Sequence, residues 1–297
     1  MTDYAIGVVG GSGLYQMDAI KILEERRLET PFGEPSDAFL LGELDGVKVA
    51  FLPRHGRGHR LMPSELNFRA NLYGFKSLGV RWLISVSAVG SMKEAYEPTH
   101  IVVPDQFYDR TRHRPDTFFG DGLVAHVSMA DPVCAKLAGV MAEGAEAAGA
   151  TVHRGGTYVC MEGPQFSTRA ESMTYRQWGV DVIGMTNLQE AKLAREAEMA
   201  YATFAMVTDY DCWHEEEEDV TVEAVLETLR RNNVTGQKAV VETIRRLGAA
   251  SGLESAAWNA LQHAIMTDRS AVPPATVERL RPIVGRYFTE STPGPKS

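Results

Sequence analysis

The sequence is short of cysteine, of positive charge and of long apolar runs, and each shortage excludes a class of protein. Three cysteines, Cys134, Cys160 and Cys212, stand far apart among 297 residues. An odd, scattered set builds neither a disulfide framework nor a paired-cysteine metal site, and it points to a reducing compartment, the cytoplasm. Acidic residues outnumber basic ones, 39 to 30, for a formal net charge of −9. That balance argues against nucleic acid or an anionic membrane surface as a partner. No uninterrupted apolar stretch is long enough to span a bilayer, and the first residues lack the charged and apolar regions of a secretion signal. Linkers, composition breaks and internal repeats are missing too. One domain is therefore expected: a main body over residues 1–250 and a helical extension over 251–297 belonging to the same unit. Such a length is ample to bury a core.

What is present is a series of short Val- and Ile-rich runs. They predict buried strands at residues 4–9, 47–52, 81–89, 101–103, 157–161, 180–185 and 202–207. Helical patterns at 64–78, 132–148, 168–178 and 188–198 lie between many of them, and further helices are expected at 222–247, 255–267 and 276–287. Strands alternating with helices imply an α/β fold with a largely parallel or mixed central sheet flanked by helices. The tail over 289–297, with Pro293, Gly294 and Pro295, is expected to be mobile. The acidic run from Glu215 to Asp219 reads as a solvated segment before a helix N-terminus.

In open α/β sheets ligands collect at the carboxyl ends of the strands. After the run at 47–52 the chain turns through Arg54-His55-Gly56-Arg57-Gly58-His59. Glycine admits close backbone approach and arginine offers a planar fork of donors, so this turn suits an anion the size of phosphate. A solvated basic loop is the plainer alternative. After the first run, Gly10-Gly11-Ser12-Gly13 can form a nest of backbone N–H groups. The glycines at 7, 10, 11 and 13 do not fit the G-x-G-x-x-G spacing of a dinucleotide fold, and a tight turn alone is the competing reading. Ser87-Ala88 and Met185-Thr186 place further small hydroxyl residues at two more strand ends.

The last strand ends in Thr208-Asp209-Tyr210-Asp211-Cys212-Trp213. Residues two apart on a strand share a face, so Asp209 and Asp211 can present paired carboxylates to one ligand. Such a pair raises at least one pKa and keeps a proton available near neutrality. A metal pair would need more oxygen ligands than these two, and one capping with one solvated Asp is the plain alternative. In the turn from Cys160 to Ser172, Ser167 or Thr168 can cap the next helix and Phe166 can stack on a flat ligand or simply pack. Val222, Val225, Leu226 and Leu229 give the helix after Trp213 an apolar face, by default core.

Taken together, the segments GVVGGSGL, TPFGEPSDAFLLG, PRHGRGHRLMPSELNFRANLYGFKSLG, SVSAVGS, VVPDQFYDRTRHRP, MEGPQFSTRAES, WGVDVIGMTNLQEAKLAREAE and VTDYDCW resemble the trimeric purine nucleoside phosphorylase and methylthioadenosine phosphorylase family, in order from residue 6 to about 230. The resemblance implies a mixed-sheet nucleoside phosphorylase-like fold, a homotrimer, and reversible phosphorolysis of 5'-methylthioadenosine to adenine and 5-methylthioribose 1-phosphate. It implies no metal or organic cofactor, with inorganic phosphate as co-substrate. By position, phosphate falls to Ser12, Arg54, His55, Ser87 with the backbone of Ala88, and Thr186. The purine lies against Phe166 with Ser167 near its edge, Met185 packs under the ribose, and Asp209 and Asp211 address N7 and the 6-amino group. Val222 and Val225 line the methylthio pocket, which His126 reaches from a neighbouring subunit. Ser12 and Ser87 stand where the family often has Thr, and beyond about residue 250 the match fades. The alternative is a purine nucleoside phosphorylase for adenosine or 6-oxopurine nucleosides. A nicotinamide-dependent oxidoreductase would leave Arg54, His55 and the two aspartates unexplained, and a mere nucleoside binder has no use for a phosphate set.

Overall fold

Val8 and Val9 show how the chain is layered. Both are about 1% exposed, yet neighbouring residues on a strand point to opposite faces, so the strand that carries them is covered on both sides. The computed structural model describes residues 4–11, 17, 19–214 and 222–288. Among them are eleven strands: β1 (Ile6–Gly10), β2 (Lys21–Arg26), β3 (Phe39–Leu44), β4 (Val47–Pro53), β5 (Trp82–Ser91), β6 (Ile101–Val103), β7 (Gln106–Arg110), β8 (Val152–Arg154), β9 (Thr157–Met161), β10 (Val182–Gly184) and β11 (Ala200–Asp209). They form one mixed sheet in the order β2-β3-β4-β1-β5-β10-β9-β7, with β11, β6 and β8 branching from β5. The α/β class and the mixed sheet expected from the sequence are what the chain adopts.

The helices are α1 (Phe68–Ser77), α2 (Ala135–Ala147), α3 (Arg169–Gln177), α4 (Asn187–Glu196), α5 (Val222–Ala249), α6 (Pro274–Arg279) and α7 (Arg281–Phe288). Val8, Phe51, Ile84 and Phe204 face one way and join Met141 of α2 and Ile244 of α5 in one core cluster. Val9, Leu52, Leu83 and Tyr201 face the other way and join Leu72 and Phe75 of α1 and Ile283 of α7. The described residues from Leu261 to Val284 thus pack into the body of the protein.

β5 is the hub. It runs parallel to β1 and β11 and antiparallel to β10, so three strands are hydrogen-bonded along its length. Gly90 sits where β10 and β11 converge on it. A Cβ there would lie 2.9 Å from Asp209 Oδ1 and 3.0 Å from Ile183, so the convergence requires glycine.

Several sequence expectations are corrected. The helix expected at 255–267 is a 3₁₀ turn at Ala256–Asn259 followed by turns, capped by Ser255, whose side chain accepts from Ala257 N. The helix expected at 64–78 is a 3₁₀ turn at Pro63–Glu65 and then α1, which starts afresh because the Asn67 side chain accepts from Ala70 N. The helix at 276–287 is split into α6 and α7. β2, β3, β7 and β8 were not expected. The tail at 289–297 and the Glu215–Asp219 run lie outside the described residues. No described helix is long and apolar enough to cross a membrane.

Candidate active site

A cavity of about 510 Å³ opens above the ends of β1, β4, β5 and β11, a volume suited to a nucleoside-sized ligand. At one end Arg54 and His55 leave β4, opposite Ser87 and Ala88 of β5 and Thr186, which directly precedes α4. The N-terminus of α4 therefore faces this end, favourable to an anion. Ser87 lies inside β5 and not at its end, as the sequence had suggested. Among the described residues its buried Oγ makes no well-formed hydrogen bond, which leaves it available to a ligand.

Arg54 is not the open anion fork that the sequence suggested. Its guanidinium is about 2% exposed and pairs with Glu190 of α4, Nε to Oε1 at 2.5 Å and Nη2 to Oε2 at 3.1 Å. Nη1 also donates to Val86 O at 2.8 Å and Nη2 to Ser85 Oγ at 2.6 Å. Ser85 and Tyr201 hydroxyls donate to Glu190 as well, at 2.8 and 3.1 Å. A carboxylate buried this deeply is tolerable only with such partners. The edge of Arg54 still lines the cavity, but its charge is balanced from behind.

His55 is held by Nδ1, 2.8 Å from Leu61 O, and its ring stacks on His59 with centroids 4.3 Å apart. Burial, aided by the Arg54 charge, pulls its pKa down to about 4, so it is neutral at physiological pH.

At the other end lie Asp209 and Asp211, with Phe166 at the mouth, 45% exposed. The two carboxylates do converge, though not by strand alternation. β11 carries a register shift between Val207 and Asp209 and ends there, and Asp211 adopts a left-handed φ of 54°. That turn aims Asp211 N at Asp209 Oδ1, 2.8 Å away. Thr208 Oγ1 stands 3.2 Å from Val89 O and 2.7 Å from Asp209 Oδ2. One hydroxyl hydrogen serves only one acceptor, and a proton on Asp209 satisfies both. Burial, reinforced by the Asp211 charge, raises the Asp209 pKa to about 6, and burial raises that of Asp211 too.

Between the ends, Met185 forms part of the wall. Arg114 donates to Met185 O at 2.5 Å and to Gln189 Oε1 at 3.1 Å, and it also donates to the Glu162 carbonyl. It thereby ties the ends of β9 and β10 together. Gly163, at φ 65°, packs against Met185 Sδ so closely that a Cβ would collide with it.

Of the sequence candidates, Arg54, His55, Ser87, Ala88, Phe166, Met185, Thr186, Asp209 and Asp211 come together around this cavity. Ser167 does not line it; its Oγ lies against Met161 Sδ and its carbonyl accepts from Cys212. His126 is exposed and away from its own chain's cavity. Ser12 and the side chains of Val222 and Val225 lie outside the described part. Sequence reasoning missed Glu190 and Arg114. Glu190 could have been found: it shares a helical face with Leu193, Ala194 and Ala197, and a carboxylate on an apolar face demands a buried cation. Arg114 gave no such signal. Among the described residues no cluster of three or more His, Cys, Asp or Glu is arranged to hold a metal.

The phosphorylase superfamily profile matches residues 5–245 of this chain. The S-methyl-5'-thioadenosine phosphorylase of Thermosynechococcus vestitus is 59% identical over 286 residues, 95% of this chain and 99% of that one. Among solved structures, a methylthioadenosine phosphorylase sourced from an antarctic soil metagenomic library matches at TM-score 0.91 and 49% identity, covering 95% of this chain and 99% of its own. The methylthioadenosine phosphorylase from Schistosoma mansoni, in complex with adenine, matches at TM-score 0.81 and 37% identity over 84% and 93% of the two chains.

Proposed function

The chain belongs to the phosphorylase superfamily, and on that premise we propose how its cavity works on its substrates. The reaction is reversible phosphorolysis of 5'-methylthioadenosine, the activity named for relatives at 50–59% identity across nearly the whole chain, giving adenine and 5-methylthioribose 1-phosphate. The observation that carries the assignment of ends is the placement of the Arg54, His55, Ser87 and Thr186 set at one end of a single cavity and of the buried Asp209–Asp211 pair, joined by the Asp211 N to Asp209 Oδ1 hydrogen bond, at the other.

Phosphate binds to Ser87 Oγ, the Ala88 backbone, Thr186, His55 and the edge of Arg54, joined by Ser12. Adenine lies against Phe166 and the ribose above Met185, while Ser167, which the resemblance put near the purine edge, stays outside the cavity wall. Asp209 in its protonated form donates to N7 as the glycosidic bond breaks, so the base leaves neutral. Asp211 accepts from the 6-amino group. The phosphate charge beneath the sugar stabilises the cation developing at C1', and attack opposite the base inverts that carbon. Hydrogen phosphate and a neutral nucleoside yield neutral adenine and a sugar phosphate dianion. The proton carried off by adenine is thus matched by the one phosphate relinquishes.

Positioning and electrostatics suffice for this chemistry, so neither a metal nor an organic cofactor is called for. The family resemblance assigns Val222 and Val225 to the methylthio pocket. By the family resemblance, the working assembly is a homotrimer in which His126 reaches a neighbour's 5' pocket; its exposed side chain is free to do so. Residues 1–250 and the extension form one functional unit. Three scattered cysteines support a cytoplasmic location.

The test is adenine release from 5'-methylthioadenosine with and without phosphate, with adenosine and inosine run alongside. Phosphate-dependent release, fastest with the methylthio substrate, is the expected result. Activity on inosine alone would move the chain to 6-oxopurines, and release without phosphate would make it a hydrolase.

A further inference from the structure

The turn that leaves β4 fixes which nitrogen of His55 carries hydrogen. A carbonyl oxygen can only accept, so the 2.8 Å contact with Leu61 O places the hydrogen on Nδ1. The same loop closes on itself. Arg60 N and Leu61 N both donate to His55 O, at 3.1 and 3.2 Å, and the His59 ring stacks flat on the imidazole with 12° between planes. The ring is therefore not free to exchange its two nitrogens. Nε2 has no hydrogen bond to any described residue, and the ring belongs to the cavity wall beside Ser87. The charged groups around it are cationic or already balanced: Arg54, whose charge Glu190 matches, and Arg60 on the same wall. Among the described residues no carboxylate is hydrogen-bonded to the imidazole to hold a second proton on it. Burial and the neighbouring Arg54 act in the same direction, toward the neutral ring.

Resting on the reading that this end of the cavity takes phosphate, we propose that His55 serves as a hydrogen-bond acceptor. Its Nε2 lone pair receives the P–OH hydrogen of hydrogen phosphate and thereby selects oxyanions that keep a proton. Phosphate and arsenate keep at least one hydroxyl hydrogen at neutral pH. Sulfate has the same shape and charge and none. Against sulfate, the Nε2 lone pair meets an oxygen lone pair and is left unsatisfied in a half-buried wall, a mismatch worth roughly 10- to 100-fold in affinity. Arginine and backbone amides cannot make this distinction, because donors accept either anion equally. His55 is thus a specificity-determining residue that reads a proton and not a charge.

The experiment measures initial rates of adenine release against phosphate and against arsenate, and competitive inhibition of the phosphate-driven rate by sulfate. Arsenate is expected to replace phosphate with a KM within about threefold. Sulfate is expected to inhibit with a Ki at least about tenfold above the phosphate KM. In His55→Gln, whose amide can turn to donate or accept, the sulfate-to-phosphate ratio is expected to collapse toward unity. Solid-state ¹⁵N spectra of the histidine-labelled wild type with phosphate bound give a readout that needs no variant, and are expected to show a neutral Nδ1–H ring. Phosphate-dependent release with sulfate competing as tightly as phosphate overturns the proposal alone, as does an imidazolium in the phosphate complex. Release that needs no phosphate overturns the reading of the site and the proposal with it.

Discussion

The two ends of the cavity withhold charge by opposite means. At the phosphate end a permanent cation, Arg54, is balanced from behind by Glu190, and the adjacent imidazole is kept neutral. At the base end neither Asp209 nor Asp211 pairs with a cation among the described residues, and burial pushes both toward the protonated form. A neutralised charge is insensitive to pH, because arginine does not titrate in the accessible range. A carboxylate raised to about 6 is not. The difference assigns the work: the protein groups of the phosphate end position the anion, and those of the base end give the leaving base its proton.

The comparison breaks most visibly if Asp209 loses its proton. Asp209→Asn is expected to lower kcat for 5'-methylthioadenosine by roughly 10²- to 10⁴-fold, the range for removal of a positioned general acid. Steady-state kinetics with inosine in parallel checks it, and turnover equal to wild type would place the proton donor elsewhere. Next in size is the buried pair. Glu190→Gln leaves Arg54 without its counter-charge and is expected to cost about 3–5 kcal/mol in urea unfolding. The double variant Arg54→Met with Glu190→Leu should regain most of that stability while phosphate-dependent turnover stays low. A single variant as stable as wild type would mean that Arg54 finds its balance elsewhere.

A smaller effect separates the two ends by pH. The folded pKa of Asp209 lies above its ordinary value of 3.8, so its contribution to stability is complete below about pH 4 and is lost as pH rises through about 6. Asp209→Asn should therefore be more stable than wild type by ~1–3 kcal/mol above about pH 7, an advantage that vanishes in acid. In the wild type, kcat should decline as pH rises above about 6 while the Arg54 contribution stays level. The smallest effect is at the mouth. Phe166→Ala removes a stacking face worth ~1 kcal/mol, so KM for the nucleoside should rise about fivefold with a lesser change in kcat. An unchanged KM would demote Phe166 to packing.

The contrast also governs what the sequence disclosed. The buried strands of the hub are continuous apolar runs and were legible, as were the hydroxyl and acidic residues that follow them. β2, with exposed Lys21, Glu24 and Glu25, has no apolar face to announce it. β3 and β4 meet through Asp45-Gly46, both with positive φ, and that Asp-Gly pair is a strong short-range hairpin signal present in the sequence itself. Residues 255–267 misled because Ala257, Leu261 and Ala264 recur at helical spacing but are buried from turns. At the site, the identity of Arg54 was legible and its partner was not, since Glu190 is 136 residues away in sequence. Pairing across that distance is a property of the packed sheet and helix. The convergence of Asp209 and Asp211 was foreseen through pleating, whereas a bulge and a left-handed residue achieve it.

β5 can be regarded as a ruler. Ser87, at the phosphate end, and Gly90, against Asp209, are three residues apart on one strand, a span of about 10 Å set by covalent geometry. With neighbours bonded along both of its edges, that strand cannot stretch or slip to suit a longer substrate. Side chains can retune the width of the cavity and the chemistry of its ends. Its length changes only by whole residues, and each such step would reverse every side chain beyond it. Specificity for the base and the 5' substituent is therefore open to gradual evolution, while the separation between the bond-making and the proton-giving groups is not.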